Sequence, residues 1–303
     1  VRVREVLRGE HKTPWFIDCG FLQTHRPFPE PTPEEQPERC RPLPWIADTP
    51  ANRRDMAMFL RAATAVDVKI GYVLQALRES GHLDDTIILL TTDHGVPFDE
   101  AKTYVNDRGL RVMMVWAGGP FQGGKVVDGI VSQLDVFPTL CDVLGIARPG
   151  WLEGESLLPL MTGEKQEIHD AVFGEVNFHG GYRPSRTVRT PRWRYIRNYY
   201  ERREYCHDES APVGGRVMPA EELYDVTADP LEQRNLAADL EHAAVRAELS
   251  RQLTEWMQRV GDPLLSGNID PPPFYADKRD KSKAGREAFF GRMFPRPGRY
   301  YSD

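Results

Sequence analysis

The sequence predicts an α/β fold, with a mostly parallel sheet flanked by helices and, after it, a small antiparallel sheet with one helix. Three observations carry that prediction. The run Ile87-Ile88-Leu89-Leu90-Thr91-Thr92 is β-prone without alternation, which reads as a strand buried on both faces. A long amphipathic stretch precedes it, so helix, short turn and strand follow one another as half of a right-handed βαβ unit. From about Ala171 the pattern changes to short strands and then to a single amphipathic helix.

Taken in chain order, Pro14 to Phe21 reads as a buried strand and the expected partner of the later one. The proline-rich stretch from Pro27 to Pro50 reads as an irregular surface loop. A helix then begins with Thr49 as N-cap and Pro50 at its first position. Met56, Phe59, Ala63, Val66, Ile70, Val73 and Leu77 recur at helical spacing, and Gly81 supplies the stop. Val112 to Trp116 is a second apolar strand. Ser132-Gln133-Leu134-Asp135 forms a capping box for a helix through Leu144, ended by Gly145. Arg186–Thr190 and Trp193–Tyr199 make a hairpin across Pro191-Arg192. Leu240, Val245, Leu249, Leu253, Trp256 and Val260 mark the last helix, stopped by Gly261 and Pro263. The expected organisation is an α/β part over 1–165, an α+β part over 166–262 and an extended Pro/Arg-rich tail over 263–303.

Composition narrows the function. A formal charge of -6 argues against nucleic acid as partner, although arginines cluster between Arg183 and Arg203 and would attract anions locally. No apolar run reaches membrane-spanning length, so the chain as given reads as soluble, with no signal peptide ahead of its first segment and its compartment left open. The cysteines Cys19, Cys40, Cys141 and Cys206 are scattered without C-x-x-C spacing, which argues against a zinc site built from them.

The chemistry concentrates at Asp93-His94-Gly95, directly after the first apolar run. Ligands of open α/β sheets sit outside the carboxyl ends of the strands, and an acid and an imidazole stand there. Gly95 permits a tight turn or a close backbone approach. Lys102 follows on a loop. A hard oxygen donor, a nitrogen donor and a nearby cation together suit a metal-assisted site for an anionic ester. Taken alone, Asp-His-Gly is only a turn, Lys102 a solvated charge and His25 a loop histidine. His179 and Arg183 either bind a substrate carboxylate or sulfate or form a solvated hairpin edge. Asp135 reads as a capping residue.

The ordered segments Thr24-His25-Arg26-Pro27, Thr91-Thr92-Asp93-His94-Gly95, Pro97-Phe98 with Ala101-Lys102-Thr103, and Ser132 with Leu134-Asp135-Val136-Phe137-Pro138-Thr139 add a further indication. With Arg186–Thr190, Trp193–Ile196, Glu222-Leu223-Tyr224-Asp225, Asp229-Pro230 and Asn235-Leu236, this succession resembles the C-terminal portion of a sulfatase of the alkaline-phosphatase-like superfamily. Val96-Pro97-Phe98 and Ala101-Lys102 are most similar to the heparan N-sulfatase-like branch. The resemblance implies hydrolysis of sulfate esters or sulfamates on a sulfated small molecule or saccharide. It implies a divalent cation at Asp93 and His94, Ca²⁺ foremost, with Mn²⁺ or Zn²⁺ tolerated by the imidazole. It places Lys102 against the sulfate and leaving-group oxygens, and His25 as a sulfate-binding residue that can protonate the leaving group.

The same resemblance calls for a cysteine or serine in C/S-x-P-S-R, oxidised to the formylglycine nucleophile. Cys40-Arg41-Pro42-Leu43-Pro44 lacks the Ser-Arg ending, and Tyr182-Arg183-Pro184-Ser185-Arg186 begins with a tyrosine that cannot yield the aldehyde. The nucleophile segment and the paired N-terminal aspartates of the family are missing, so the expectation is an N-terminally truncated chain, inactive alone. Its exposed sheet edge would be covered by an oligomer partner or by the missing segment. Two other readings stay open: a phosphomonoester, phosphodiester or phosphonate-ester hydrolase of the same superfamily, and a non-catalytic binding module.

Overall fold

The computed structural model describes residues 2–9, 14–121, 123–178, 182–199, 218–267 and 269. A short helix α1 (Arg2–Arg8) precedes the long α2 (Pro50–Glu79). Thr49 caps α2 by accepting a hydrogen bond from Asn52 N, with Pro50 in the first turn, as the sequence requires. Strand β1 (Ile88–Thr91) follows, then the short helix α3 (Asp107–Leu110) and strand β2 (Met114–Ala117).

β1 and β2 form a two-stranded antiparallel sheet, with Leu89 opposite Trp116. The mostly parallel sheet that the sequence predicts is not formed among the described residues. The reason lies in the connection. A parallel pair needs a long crossover that returns the chain to the same end, and between β1 and β2 the only helix is one turn long. The sheet is nevertheless layered. Ile87 and Leu89 pack with Trp116, Phe121 and Leu157 on one side, while Ile88 packs with Ala76 and Leu77 of α2 on the other. That explains the unbroken apolar run, although β1 is half-buried and not interior, with Thr91 exposed.

Residues 14–21 carry no ladder, contrary to the expected strand. They still alternate: Trp15 and Ile17 pack with Leu77 and Ile88, while Phe16 points outward at 84% exposure. Period-two packing without a partner strand gives an extended segment, not a sheet member.

Beyond β2, the capping box forms as written, with Ser132 accepting from Leu134 N and Asp135 accepting from Ser132 N at 2.7 Å. Helix α4 (Val136–Leu144) ends at Gly145, whose φ of 65° is the left-handed conformation a C-terminal glycine supplies. A short α5 (Leu158–Thr162) follows. Strands β3 (Val172–Phe178), β4 (Tyr182–Arg189), β5 (Trp193–Asn198) and β6 (Glu221–Asp225) make a four-stranded antiparallel sheet in chain order. Helix α6 (Ala243–Arg259) buries Leu249, Leu253 and Met257 against Val188, Tyr195 and Leu223 of that sheet. A smaller cluster of Val105, Ile196, Tyr224 and Val226 joins the sheet's other side to the loop after Lys102. No helix among the described residues is long and apolar enough to cross a membrane.

Candidate functional site

The turn after β1 places Asp93 in the open, its side chain 87% exposed, and His94 half-buried beside it. Asp93 Oδ1 accepts from His94 N at 3.0 Å, which fixes the carboxylate against its own turn. His94 Nδ1 lies 2.7 Å from the Gly95 carbonyl oxygen. A carbonyl can only accept, so in the neutral ring Nδ1 carries the proton and Nε2 the lone pair. Nε2 faces Asp93 Oδ2 at 3.5 Å. Two electron-rich atoms converging at that separation suit a cation bound between them. They are two donors, not a cage: no cluster of three His, Cys, Asp or Glu side chains able to hold a metal occurs among the described residues.

Three segments meet on the irregular stretch that continues from His94. Lys102 N donates to Val96 O at 3.2 Å, which folds the lysine's loop back onto that segment. Gly95 N donates to Gly109 O at 2.8 Å. Gly95 is obligatory here, since a Cβ would stand 1.9 Å from the Arg108 carbonyl oxygen, and the close backbone approach permitted by the sequence is realised. Arg26 supplies the third tie, donating from Nε to Pro97 O at 3.0 Å.

Arg26 is what ties the His25 loop to Pro97, and sequence reasoning did not single it out for that part. Its two terminal nitrogens donate to Asp55 of α2 at 2.7 and 2.5 Å, and its guanidinium lies over Phe28 and Phe98 at 4.3 and 5.1 Å. Phe59 packs edge-to-face with both Phe28 and Phe98, and Phe28 and Phe98 are tilted against each other. Each aromatic pair contributes about 1 kcal/mol beyond its buried area, so the loop from Leu22 to Phe28 is firmly held on α2. Lys69 adds a hydrogen bond to Gln23 Oε1 at 2.9 Å. His25 itself is exposed, with Nδ1 2.5 Å from the Arg26 carbonyl oxygen. An acidic residue in the first turns of the predicted helix, opposite an arginine between prolines and phenylalanines, was the available signal.

Lys102 sits between two non-glycine residues in the left-handed region, Glu100 with φ 57° and Thr103 with φ 76°. Such residues cost of order 1–3 kcal/mol each and persist only when their surroundings hold them. The holding groups are present. Trp45 Nε1 donates to Asp99 O at 2.9 Å, and Asn106 Nδ2 donates to Glu100 O at 2.9 Å. Arg183 donates from Nη1 to the Thr103 hydroxyl and lies over the Tyr104 ring at 4.8 Å. Arg183 is 1% exposed, and its Nε and Nη2 have no hydrogen-bond partner among the described residues. His179 lies outside the described residues. The structure thus ties the backbone of Lys102 and the loop that carries His25 to residues 96–97, next to Asp93 and His94, and puts Arg183 beneath the lysine's loop.

Asp135, read as a cap, does more than cap. Fully buried, it also accepts from Glu155 N at 2.9 Å and faces His169 Nε2 at 2.9 and 3.0 Å. Gln133, within the same capping turn, donates to Thr92 O at 2.5 Å and so ties it to the Asp93 turn.

Comparison with known proteins defines the class. The Sulfatase family model matches residues 2–146, and the model for the C-terminal region of N-sulphoglucosamine sulphohydrolase matches residues 93–211. The chain belongs to the sulfatase family, within the alkaline-phosphatase-like superfamily. It is 27% identical to N-sulphoglucosamine sulphohydrolase of Homo sapiens over 87% of this chain and 64% of the human protein. It is 32% identical to Delta 4,5-hexuronate-2-O-sulfatase of Bacteroides thetaiotaomicron over 73% of this chain and 45% of that protein. The solved structure of a 2-O GAG sulfatase superposes with a TM-score of 0.62 at 26% identity, covering 90% of this chain and 60% of that one. The chain therefore spans between about half and two thirds of the length of these relatives. Sulfatases typically use a divalent metal.

Proposed function

We propose that this chain carries the cation-donor and sulfate-binding side of a sulfuric ester hydrolase acting on sulfate esters or sulfamates of saccharides. The single observation behind this reading is that the Lys102 loop and the His25–Arg26 loop are both tied to residues 96–97, the segment that follows Asp93-His94. The saccharide assignment draws on the relatives, whose names specify N-sulphoglucosamine and a hexuronate 2-O-sulfate.

Asp93 and His94 would hold the divalent ion as a hard oxygen and a borderline nitrogen donor, a pair compatible with Ca²⁺ and also with Mn²⁺ or Zn²⁺. When bound, the ion supplies Lewis acidity toward sulfuryl oxygens. The Lys102 ammonium stabilises negative charge that develops on the leaving oxygen as the S–O or S–N bond breaks. His25 delivers a proton to that oxygen or nitrogen. Arg183 and His179 would serve a carboxylate or sulfate of the substrate. No cysteine or serine of the chain stands in C/S-x-P-S-R, so the nucleophile is not assigned to any of its residues.

Calorimetric titration with inorganic sulfate in the presence of Ca²⁺ tests the reading. Saturable binding that Lys102→Met reduces at least tenfold supports it, and absence of binding to the wild-type chain overturns it. Tighter binding of phosphate than of sulfate would instead favour the phosphoryl-transfer reading. Release of sulfate from N-sulfoglucosamine by this chain would overturn the statement about the nucleophile.

A further inference from the structure

The turn that follows β6 holds a carboxylate unlike the others. Asp225 Oδ1 accepts from Thr227 N at 3.2 Å, and Asp229 Oδ2 accepts from Gln233 N and Arg234 N at 2.7 and 2.8 Å. Asn235 Oδ1 closes the turn, accepting from Leu223 N at 3.0 Å and Ala237 N at 2.9 Å. Inside this knot Glu232 adopts a left-handed φ of 51°, and its side chain is fully buried. Burial pushes its carboxyl pKa up, against the pull of Arg194.

From Glu232 a chain of polar contacts leads to the lysine's loop. Its Oε2 accepts from Asp107 N at 2.8 Å and its Oε1 lies 2.7 Å from Arg194 Nε. Arg194 continues to Asp107 and to Val105 O, the latter at 2.9 Å. Burial would raise Asp107 too, but Arg194 and Arg189 beside it leave its carboxyl below the usual range. The Glu232 carbonyl accepts from Arg108 Nη2 at 3.0 Å, and Arg108 Nη1 donates to Glu100 Oε2 at 2.9 Å. The Arg108 guanidinium rests 5.0 Å from the Trp45 ring, whose indole donates to Asp99 O. Glu100, strained and two positions before Lys102, is thus the far end of a relay that starts 132 positions later in the chain at Glu232.

We infer that Glu232 is a positioning residue for Lys102. Its carboxylate fixes Asp107 N and Arg194, which seats the adjacent Arg108 on the Glu232 carbonyl. Arg108, through Glu100, then holds the 99–103 loop with its two left-handed residues. A buried ion network is weak as a source of stability, because desolvation offsets much of the attraction. It fixes geometry well, because each partner has one arrangement that satisfies it. The antiparallel sheet and its closing turn therefore set the place of the cation that meets the anion, although Glu232 itself contributes no group to it. This inference rests on the sulfate-binding reading for its purpose, whereas the loop-holding itself can be measured without a ligand.

The experiment is amide hydrogen exchange read by mass spectrometry, with sulfate titration alongside, on the wild type, Glu232→Gln, Glu232→Ala, Glu100→Ala and Lys102→Met. Glu100→Ala removes the last link at a half-exposed residue, so it serves if the Glu232 variants fail to fold. Exchange over 96–106 should rise at least tenfold in Glu100→Ala and Glu232→Ala with α2 and α6 unchanged, and sulfate affinity should fall several-fold. Glu232→Gln, which keeps an acceptor for Asp107 N, should recover part of both. Lys102→Met should lose sulfate with exchange unaltered. Unchanged exchange over 96–106 in Glu100→Ala overturns the inference, as does a uniform rise along the chain. If the wild type fails to bind sulfate, the site reading falls while the exchange result still decides the clamp.

Discussion

Gly95→Ala is the sharpest perturbation the structure offers, because one methyl group separates two segments of the site. The added Cβ would stand 1.9 Å from Arg108 O and 2.8 Å from Arg108 C, where ordinary contacts begin at 3.4 Å. The Asp93–Gly95 turn and the Arg108–Gly109 segment would have to separate by roughly the difference, about 1.5 Å. The Gly95 N to Gly109 O hydrogen bond, 2.8 Å long, cannot survive that shift. Losing it costs about 1 kcal/mol, and overpacking adds about 1–3 kcal/mol. Reduced freedom of the unfolded chain returns about 0.4–1 kcal/mol, so the net loss should be about 2 kcal/mol. Urea unfolding followed by tryptophan fluorescence measures it. Gly71→Ala is the matched control: nothing lies within 4 Å of its Cβ position in α2, so it should stabilise by about 0.5–1 kcal/mol. If Gly95→Ala falls within about 0.5 kcal/mol of wild type, the close approach is not a structural constraint and the site geometry drawn from it is wrong.

Asp135→Ala removes a fully buried carboxylate that accepts from Ser132 N and Glu155 N and pairs with His169, which should cost about 3 kcal/mol in thermal or urea unfolding. A loss under about 1 kcal/mol would show that water replaces the carboxylate. Arg26→Met keeps the stem but loses Asp55 and Pro97 O. It should destabilise by about 1–3 kcal/mol and weaken sulfate binding through a displaced His25, whereas unaltered sulfate affinity would detach His25 from the site. Asp225 is held down to about 2, chiefly by its hydrogen bond from Arg192 and then by Thr227. Its folded-state value lies below the unfolded carboxylate's of about 3.9, so its stabilisation is complete above that and lost as the pH falls toward 2. Asp225→Asn should therefore flatten the acid limb of urea midpoints plotted against pH, and an acid limb identical to wild type would contradict the assignment.

Local signals proved legible where the physics is local. The Thr49 cap, the Ser132–Asp135 box and the stops at Gly81, Gly145 and Gly261 all stand as the sequence implies, and all three glycines have positive φ. The Trp193 hairpin and the α6 stripe follow from turn chemistry and periodicity that involve near neighbours. Strand pairing was not legible, because an apolar run such as Ile87–Leu90 states that both faces are covered but not which strand lies alongside. Trp15 and Ile17 illustrate the same gap, packing like strand residues without joining a ladder. At the site, Asp93, His94 and Lys102 were visible as residue types at a strand end. Arg183 was visible only as an anion binder or a hairpin edge, and Arg26 and Glu232 not as site residues at all, since their meaning comes from partners 80, 71 and 125 positions away.

The most direct test of the site is crystallographic. Crystals grown with Ca²⁺ and soaked in selenate, a tetrahedral dianion like sulfate, would give an anomalous selenium peak from data collected at the selenium edge. That peak should lie within hydrogen-bond reach of Lys102 Nζ and His25, with calcium against Asp93 and His94. Selenium bound elsewhere, with the Lys102 amine turned away from Asp93 and His94, would contradict the proposed function.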